Sequence, residues 1–472
     1  MVTESIPNER RPIGRRSFGI LSVTMLSFLD KAKKIGGVEL EKHPIFALGV
    51  SLLLIAFVFM PGQTETAIQL ALFLAPLWLP PLLLLGAWKL WVVLKQSEFI
   101  AGQDMILLEI RPPRSIEKTP LAMETALAGM HHAPGEGTWY GRLIQGKVRP
   151  WWSLELVSIE GQVHFFIWTR KGFRRIIESN IYAQYPGAQV TEAPDYTRMI
   201  SASPEEWNIW GCEFVHTKPD PVPIKTYVEY GLDKVQKEYE QVDPLANLVE
   251  FLGSMRKGEN LWVQLIIRVH KGEKYHTLNE EGKAYDWKDE AKKVIKGIRE
   301  KTVSKTRRKD PVTGEIHEVE GFPNPTRGES DMMAAIERNV SKQAFDVGVR
   351  ALYIAKPEAF DPITIAGVTG IFRQFSSEAW NGFKPSGGMT KFDDYPWERK
   401  VDERKNKTRN ELVDSYRRRM YYYEPYNMRE QAMVMSVEEL ATIFHIPSRA
   451  VQTPTLARVP SATGEAPANL PI

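Results

Sequence analysis

Hydrophobic residues along this chain follow two different patterns. Near the N-terminus there are two long runs without a charge. Pro44 to Met60 reads PIFALGVSLLLIAFVFM, and Thr66 to Trp88 reads TAIQLALFLAPLWLPPLLLLGAW. At about 1.5 Å per residue, each can cross or nearly cross a hydrocarbon layer about 30 Å thick. Pro76, Pro80 and Pro81 would kink the second run, which membrane helices tolerate. Arg10, Arg11, Arg15, Arg16, Lys31, Lys33, Lys34 and Lys42 precede the pair, Lys89, Lys95, Arg111 and Arg114 follow it, and the PGQTE link has no Lys or Arg. The pattern predicts a transmembrane hairpin with both termini in the cytoplasm. A signal peptide plus a buried core helix is the competing reading. The first run, however, starts far from Met1 without a small-residue cleavage site. The second is too uniformly apolar for a surface-packed helix.

Beyond the second run, short alternating stretches replace the long ones. MILLEIRPP predicts a strand, and Thr119 with Pro120 opens the helix PLAMETALAGM. WWSLELVSIEG and QVHFFIWTRK alternate around Gly161 as a hairpin, GFRRIIESNIYAQYPG is a helix, and AQVTEAP a strand. This β-α-β-β-α-β order is the split ferredoxin-like plan. A second unit starts near Trp210 with the strand CEFVHTK and IKTYVEY as its expected partner. Asp243 and Pro244 cap the helix PLANLVEFLGSM, and the strand NLWVQLIIRVHK follows. The openings TPLAMETALAGM and DPLANLVEFLGSM resemble each other, which suggests a degenerate duplication; two unrelated helices with the same cap-plus-Pro start would look alike. A charged insertion at about 277–325 interrupts the second unit. It is followed by the helix SDMMAAIERNVSKQ (Ser330 or Asp331 as cap), the strand FDVGVRALYIA and a helix opened by Asp361 and Pro362. Near the end, Ser436 and Glu439 form a capping box before Val437, Leu440, Ala441 and Phe444, which mark one apolar helix face.

The expected class is therefore α+β: a two-helix transmembrane hairpin, two ferredoxin-like modules, and a short C-terminal helix with an extended tail. The expected parts are a basic segment 1–43, the hairpin 44–95, the modules 96–200 and 201–385, and a basic helix, joining segment and Pro/Ala-rich tail at 386–472. The 472 residues leave room for such cores. A net charge of +3 makes no case for nucleic acid by itself, and the single Cys212 excludes an internal disulfide framework or a multi-cysteine zinc site.

Candidate chemistry is sparse. There is no G-x-x-x-x-G-K-[ST], H-E-x-x-H or G-x-S-x-G, and the nine histidines are scattered. The expectation is a protein without catalytic, cofactor or metal residues. Cys212 reads as a buried thiol, and His445 as a cation suited to a helix C-terminus. Two basic stretches stand out. In 288–309, Lys292, Lys293, Lys296, Arg299, Arg307 and Arg308 are candidate contacts for nucleic acid or lipid; in 399–423, Arg417, Arg418 and Arg419 lie beside Tyr421, Tyr422 and Tyr423. Interleaved acids fit a solvated helix face equally well.

SVEELATIFHIPSRAVQTPTLARVPSATGEAPANLPI resembles the joining segment of membrane-anchored proteins related to bacterial conjugative-transfer and type IV secretion ATPases. In those proteins an EELA-x-x-(F/W)-H-(L/I)-P helix and a Thr-Pro strand precede the ATP-binding domain. EFIAGQDMILLEIRPP, GEGTWYGR, WWSLELVS and NGFKP resemble their non-ATPase N-terminal region. The sequence given stops at Ile472 without a nucleotide-binding core. What the resemblance implies is a catalytically inert scaffold or adaptor, multi-pass in the bacterial inner membrane, for a separately encoded motor ATPase. Val437, Leu440, Ala441, Phe444 and His445 would dock that ATPase. Membrane lipid, DNA and a second copy of the chain are the further partners this reading admits. The alternative is a membrane-tethered nucleic-acid-binding module using 288–309 and 399–423.

Overall fold

The computed structural model describes residues 69–458, except 114–117, 133–136, 235–241, 310–315, 393–399, 448–455 and positions 71, 202, 204, 273, 276, 280 and 457. The chain divides into two compact units, Met1–Leu90 and Trp91–Ile472. From Ala75 onward the described part of the first unit belongs to helix α1 (Ala75–Ala101). It contains Pro80 and Pro81, and none of its residues is buried. Among the described residues α1 is the one helix long and apolar enough to cross a membrane. The expected two-helix hairpin is corrected accordingly: the described residues show a single apolar helix, which runs on past Trp88, Lys89 and Lys95 to Ala101. The other expected span, 44–60, lies outside the described residues.

The second unit is α+β, built on one nine-stranded antiparallel sheet rather than on two separate modules. Strands β1 (Met105–Arg111), β2 (Trp151–Ile159), β3 (Gln162–Arg170) and β4 (Gln189–Ala193) form one half, in the order β4-β1-β3-β2. Strands β5 (Asn208–His216), β6 (Glu259–Val269), β9 (Ala344–Ala355) and β10 (Phe383–Ser386) form the other, in the order β10-β5-β9-β6. Each half repeats the same strand order. The halves join because β2 pairs with β6 from Trp151↔Arg268 to Ile159↔Asn260. Two edges that would template aggregation in isolated modules thus cover each other. The expected boundary at 200/201 therefore falls within one sheet. β11 (Met433–Ser436) pairs with the start of β9.

IKTYVEY is not the partner of β5; it runs in turns, and β9 and β10 flank β5 instead. Pro219, Pro221 and Pro223 just before it lack the N–H groups a ladder needs. The insertion holds α6 (Trp287–Lys301), the hairpin β7 (Val303–Lys309) and β8 (Ile316–Pro323), and α7 (Arg327–Ser341). α7 is capped by Thr326 in a capping box with Glu329, earlier than the expected Ser330 or Asp331.

Side-chain alternation sorts the strands onto two cores. In β6, Leu261, Val263, Leu265 and Ile267 face a first core. It is closed by α2 (Leu121–Gly129), α4 (Arg174–Gln184), α5 (Ala246–Gly253), α8 (Pro362–Thr369) and α10 (Val437–Ile443). Trp262 and Ile266 face a second core under α9 (Val401–Arg417) and Met420 to Tyr423. All eleven residues of β6 and all twelve of β9 are buried, because both faces are covered.

Candidate functional site

The C-terminal helix is a hub inside the body. Ser436 caps α10, its Oγ accepting from the Glu439 N–H at 3.3 Å while Glu439 accepts from the Ser436 N–H at 2.9 Å. The other Glu439 oxygen accepts from the Ile224 N–H at 3.1 Å, and Thr442 Oγ1 accepts from the Tyr227 N–H at 3.1 Å. Glu438 binds Lys342 at 2.8 Å, Arg338 at 3.2 Å and the Thr226 hydroxyl at 2.6 Å. Phe444 meets Phe165 edge-on at 5.9 Å. His445 is held between the Ala441 carbonyl at 2.8 Å and Asp243 at 3.0 Å. The structure thus places Val437, Leu440, Ala441, Phe444 and His445 inside the protein, each at most 3% exposed. As docking residues they are corrected: the apolar face is already covered by the chain's own sheet and helices.

The second face of the sheet carries a buried polar seam. Ladder register sets Glu213 opposite Arg350, Arg350 opposite Gln264, and Gln264 opposite Glu155. Arg419 comes down on it from the cover. Its guanidinium binds Glu155 at 3.0 and 3.3 Å and Asp195 at 2.6 and 3.0 Å. Glu155 also accepts from Gln264 Nε2 at 2.8 Å and from the Tyr196 hydroxyl at 2.9 Å. Burial opposes the Arg419 charge, yet Glu155 and Asp195 raise its pKa well above the ordinary value. Arg350 donates to Ser415 Oγ at 2.9 Å and to the Met420 carbonyl at 2.8 Å. Tyr421 sits so close to the sheet that a Cβ added at Gly348 would lie 2.5 Å from its ring. This glycine is therefore a condition for the cover to seat.

Two rows along the same face, Arg268 pairs with Asp346 at 2.9 Å, and His270 bridges Asp346 at 2.5 Å and Asp286 at 2.8 Å. Burial works against a charged His270, but the two carboxylates prevail and lift it from 6.5 to about 9. The folded-state value exceeds the unfolded one. The stabilisation is therefore complete below about pH 6.5 and lost as pH rises through 9. The melting temperature is expected to fall between pH 6.5 and 9, and His270→Asn should flatten that segment. An equal slope in the variant would remove His270 as its source.

A cleft of ≈ 390 Å³ opens at the corner where β5, β10, the 430–433 segment, Lys274–Tyr275 and α6 converge. His216 Nδ1 lies 3.0 Å from Asp220, whose other oxygen binds Lys274. Burial raises the Asp220 pKa, but His216 and Lys274 outweigh it and hold the carboxyl below its usual range. Ser386 also lines the cleft, yet it pairs with Glu213 while Phe383 pairs with His216. Three strand residues, about 10 Å, thus separate Ser386 from the imidazole, too far for a nucleophile–base pair. Among the described residues no group of three or more His, Cys, Asp or Glu could hold a metal ion. Sequence reading missed this cleft because its residues come from five distant segments and form no local motif.

The basic candidates do not form one surface. Arg419 is in the seam, Arg417 donates to the Thr197 and Ile200 carbonyls, and Arg418 pairs with Asp414 at 2.8 Å. Tyr421, Tyr422 and Tyr423 are core residues, unavailable to stack bases. On α6, Lys292, Lys293 and Lys296 pair with Asp289, Glu290 and Glu300 of the same helix, and Arg299 is exposed. Arg307 and Arg308 lie in β7 opposite Glu318 and His317 of β8. Cys212 is buried, and burial pushes its thiol up to about 12, which fits no nucleophile.

No curated protein matches this chain significantly. One family model spans most of the second unit, from the last turns of α1 to just past Leu456, taking in the sheet, the seam and the cleft. On that match, over residues 95–459, the chain belongs to the family described as Domain of unknown function (DUF8128).

Proposed function

We propose that this protein is a membrane-attached, non-catalytic scaffold that holds a rigid α+β body at a bilayer surface for a separately encoded secretion-type motor ATPase. The observation that carries the membrane part is α1: 27 residues, strongly apolar, with none buried. Leaving it in water would expose Leu77, Leu83, Leu84, Leu85 and Leu90, each more than 60% accessible. A patch of that size marks a membrane or protein contact. Trp88 and Trp91 near Lys89 and Lys95 suit the interfacial zone. The motor partner rests on the resemblance of the EELATIFHIP segment and the upstream body. Because α10 is enclosed, the partner would meet another surface.

The membrane part is tested by fractionation. The full chain should sediment with membranes and resist alkaline carbonate extraction, whereas a variant with four Lys in place of Leu82 to Leu85 should be released. A fully soluble wild-type chain would overturn it. For the partner, crosslinking followed by purification should recover a P-loop ATPase, and the purified chain alone should show no ATP turnover, since it lacks a phosphate loop. Turnover that persists in homogeneous protein would reject the non-catalytic assignment.

A further inference from the structure

The GEGTWYGR segment, described from Gly137 onward, lies outside the seam and the cleft. Residues 137–150 read GTWYGRLIQGKVRP, with Arg142, Lys147 and Arg149 and no acid. Thr138 caps a short helix, α3 (Trp139–Leu143), its Oγ1 accepting from the Gly141 N–H at 3.1 Å. Trp139 is 64% exposed and Tyr140 50%, and their rings meet edge-on at 6.1 Å. Among the described residues the strongly exposed tryptophans are Trp78, Trp88 and Trp91, all in α1, and Trp139. Arg142 and Lys147 are exposed as well.

The backbone ties α3 to α1. The Tyr140 carbonyl accepts from the Gln145 N–H at 3.1 Å and the Gly141 carbonyl from the Lys147 N–H at 2.8 Å. Between them, Gly146 is pressed against α1. At φ +66°, a Cβ added there would lie 2.1 Å from the Lys95 carbonyl oxygen, so only glycine allows the approach. Trp91 and Lys95 belong to the same unit as α3, and Lys95 Nζ lies 5.0 Å over the Trp91 ring. About one helical turn, roughly 6 Å, separates the two along the axis. The headgroup layer on each side of a bilayer is roughly 5–7 Å deep. With Trp91 at the edge of the hydrocarbon, Lys95 and the segment seated on it fall at headgroup depth.

We propose that α3 is a second membrane contact: Trp139 and Tyr140 insert among the headgroups beside α1, and Arg142 and Lys147 bind the phosphates of anionic lipids. The proposal rests on the membrane reading of α1. Amphipathic aromatic rings favour this layer, and an acid-free basic segment complements its charge. One helix alone would leave the body free to swivel; a second contact fixes its orientation to the bilayer.

The test uses the full chain in phosphatidylglycerol vesicles that carry a nitroxide quencher at headgroup depth, and in matched vesicles with the nitroxide at mid-chain. Cys212 is buried, so a fluorescent NBD label goes to an introduced thiol, Gln145→Cys or, separately, Leu84→Cys within α1. The label at 84 should be quenched by the mid-chain nitroxide. The label at 145 should lose roughly half its emission to the shallow one, as an interfacial site does. Adding Trp139→Ser with Tyr140→Ser should abolish the quenching at 145 and leave that at 84. Both rings are exposed, so the melting temperature should not move. Arg142→Glu with Lys147→Glu, or phosphatidylcholine in place of phosphatidylglycerol, should weaken the quenching at 145. Quenching at 84 without quenching at 145 overturns the proposal and leaves the membrane reading standing; it is also the result if the rings meet a protein. Quenching at 145 that survives loss of both rings overturns it too. No quenching at either site overturns both readings.

Discussion

Arg419→Met is expected to lower unfolding stability by roughly 3–5 kcal/mol, the range found when one partner of a buried ion pair is removed. Methionine fills much of the same volume, so the loss is electrostatic rather than a cavity effect. Arg419 is 1% exposed and neutralises Glu155, which is wholly buried. Without the guanidinium, Glu155 keeps only the neutral donors Ser153, Gln264 and Tyr196. It must then stay charged in a low-dielectric site or take up a proton. The same substitution frees Asp195, whose carboxyl burial would raise but Arg419 chiefly holds below its usual range. A second substitution separates the terms. Glu155→Gln in the Arg419→Met background removes the uncompensated charge, so the double variant should be more stable than Arg419→Met alone. Sites in direct contact couple in this way. Denaturant unfolding of the single and double variants gives the answer. A double variant no better than Arg419→Met would mean that packing, not charge, holds the cover on the sheet.

The seam also shows how far the sequence could be read. Strand positions were legible because β-branched, aromatic and leucine residues recur at every second position, Trp152, Leu154 and Leu156 in WWSLELVS and Leu261, Val263, Leu265 and Ile267 in NLWVQLIIRV. The alternate positions, Ser153, Glu155, Gln264 and Arg268, look like a solvent face, since polar side chains at period two usually are. What covers them lies more than a hundred residues away, in Arg419 and the tyrosines. In the linear sequence those tyrosines resemble a basic-aromatic binding strip. Nothing in their spacing tells a wet face from a covered one. Joining the halves through β2 and β6 had no local signal either. Both strands carry apolar residues on both faces, which fits any doubly covered strand, and pairing partners are set by the whole sheet. The capping box of α10 was legible because its chemistry spans four residues. Whether its apolar face met a partner or its own sheet was not, because an amphipathic face looks the same in both settings.

That last ambiguity is decided by Phe444→Ala. Docking to a separate ATPase would leave the free protein's melting temperature almost unchanged and weaken binding by roughly 2 kcal/mol, as for an aromatic hot spot. Own-domain packing gives the opposite signature, and the structure has Phe444 fully buried against Phe165 within the first core. Truncation there should cost roughly 3–5 kcal/mol, through lost burial and a cavity that neighbouring strands cannot close. The helix around it has no exposed side to take up slack: every residue from Val437 to Ile443 is buried, and Glu438 and Glu439 tie it to α7 and to the 224–227 segment. Ser436→Ala should cost about 1 kcal/mol, since it removes the cap and leaves one backbone N–H unmet. Thermal melts of the full chain, with and without each substitution, are the measurement. A large shift for Phe444→Ala with a smaller one for Ser436→Ala confirms α10 as a structural clamp, and an unshifted Phe444→Ala would return the helix to the role of a docking element.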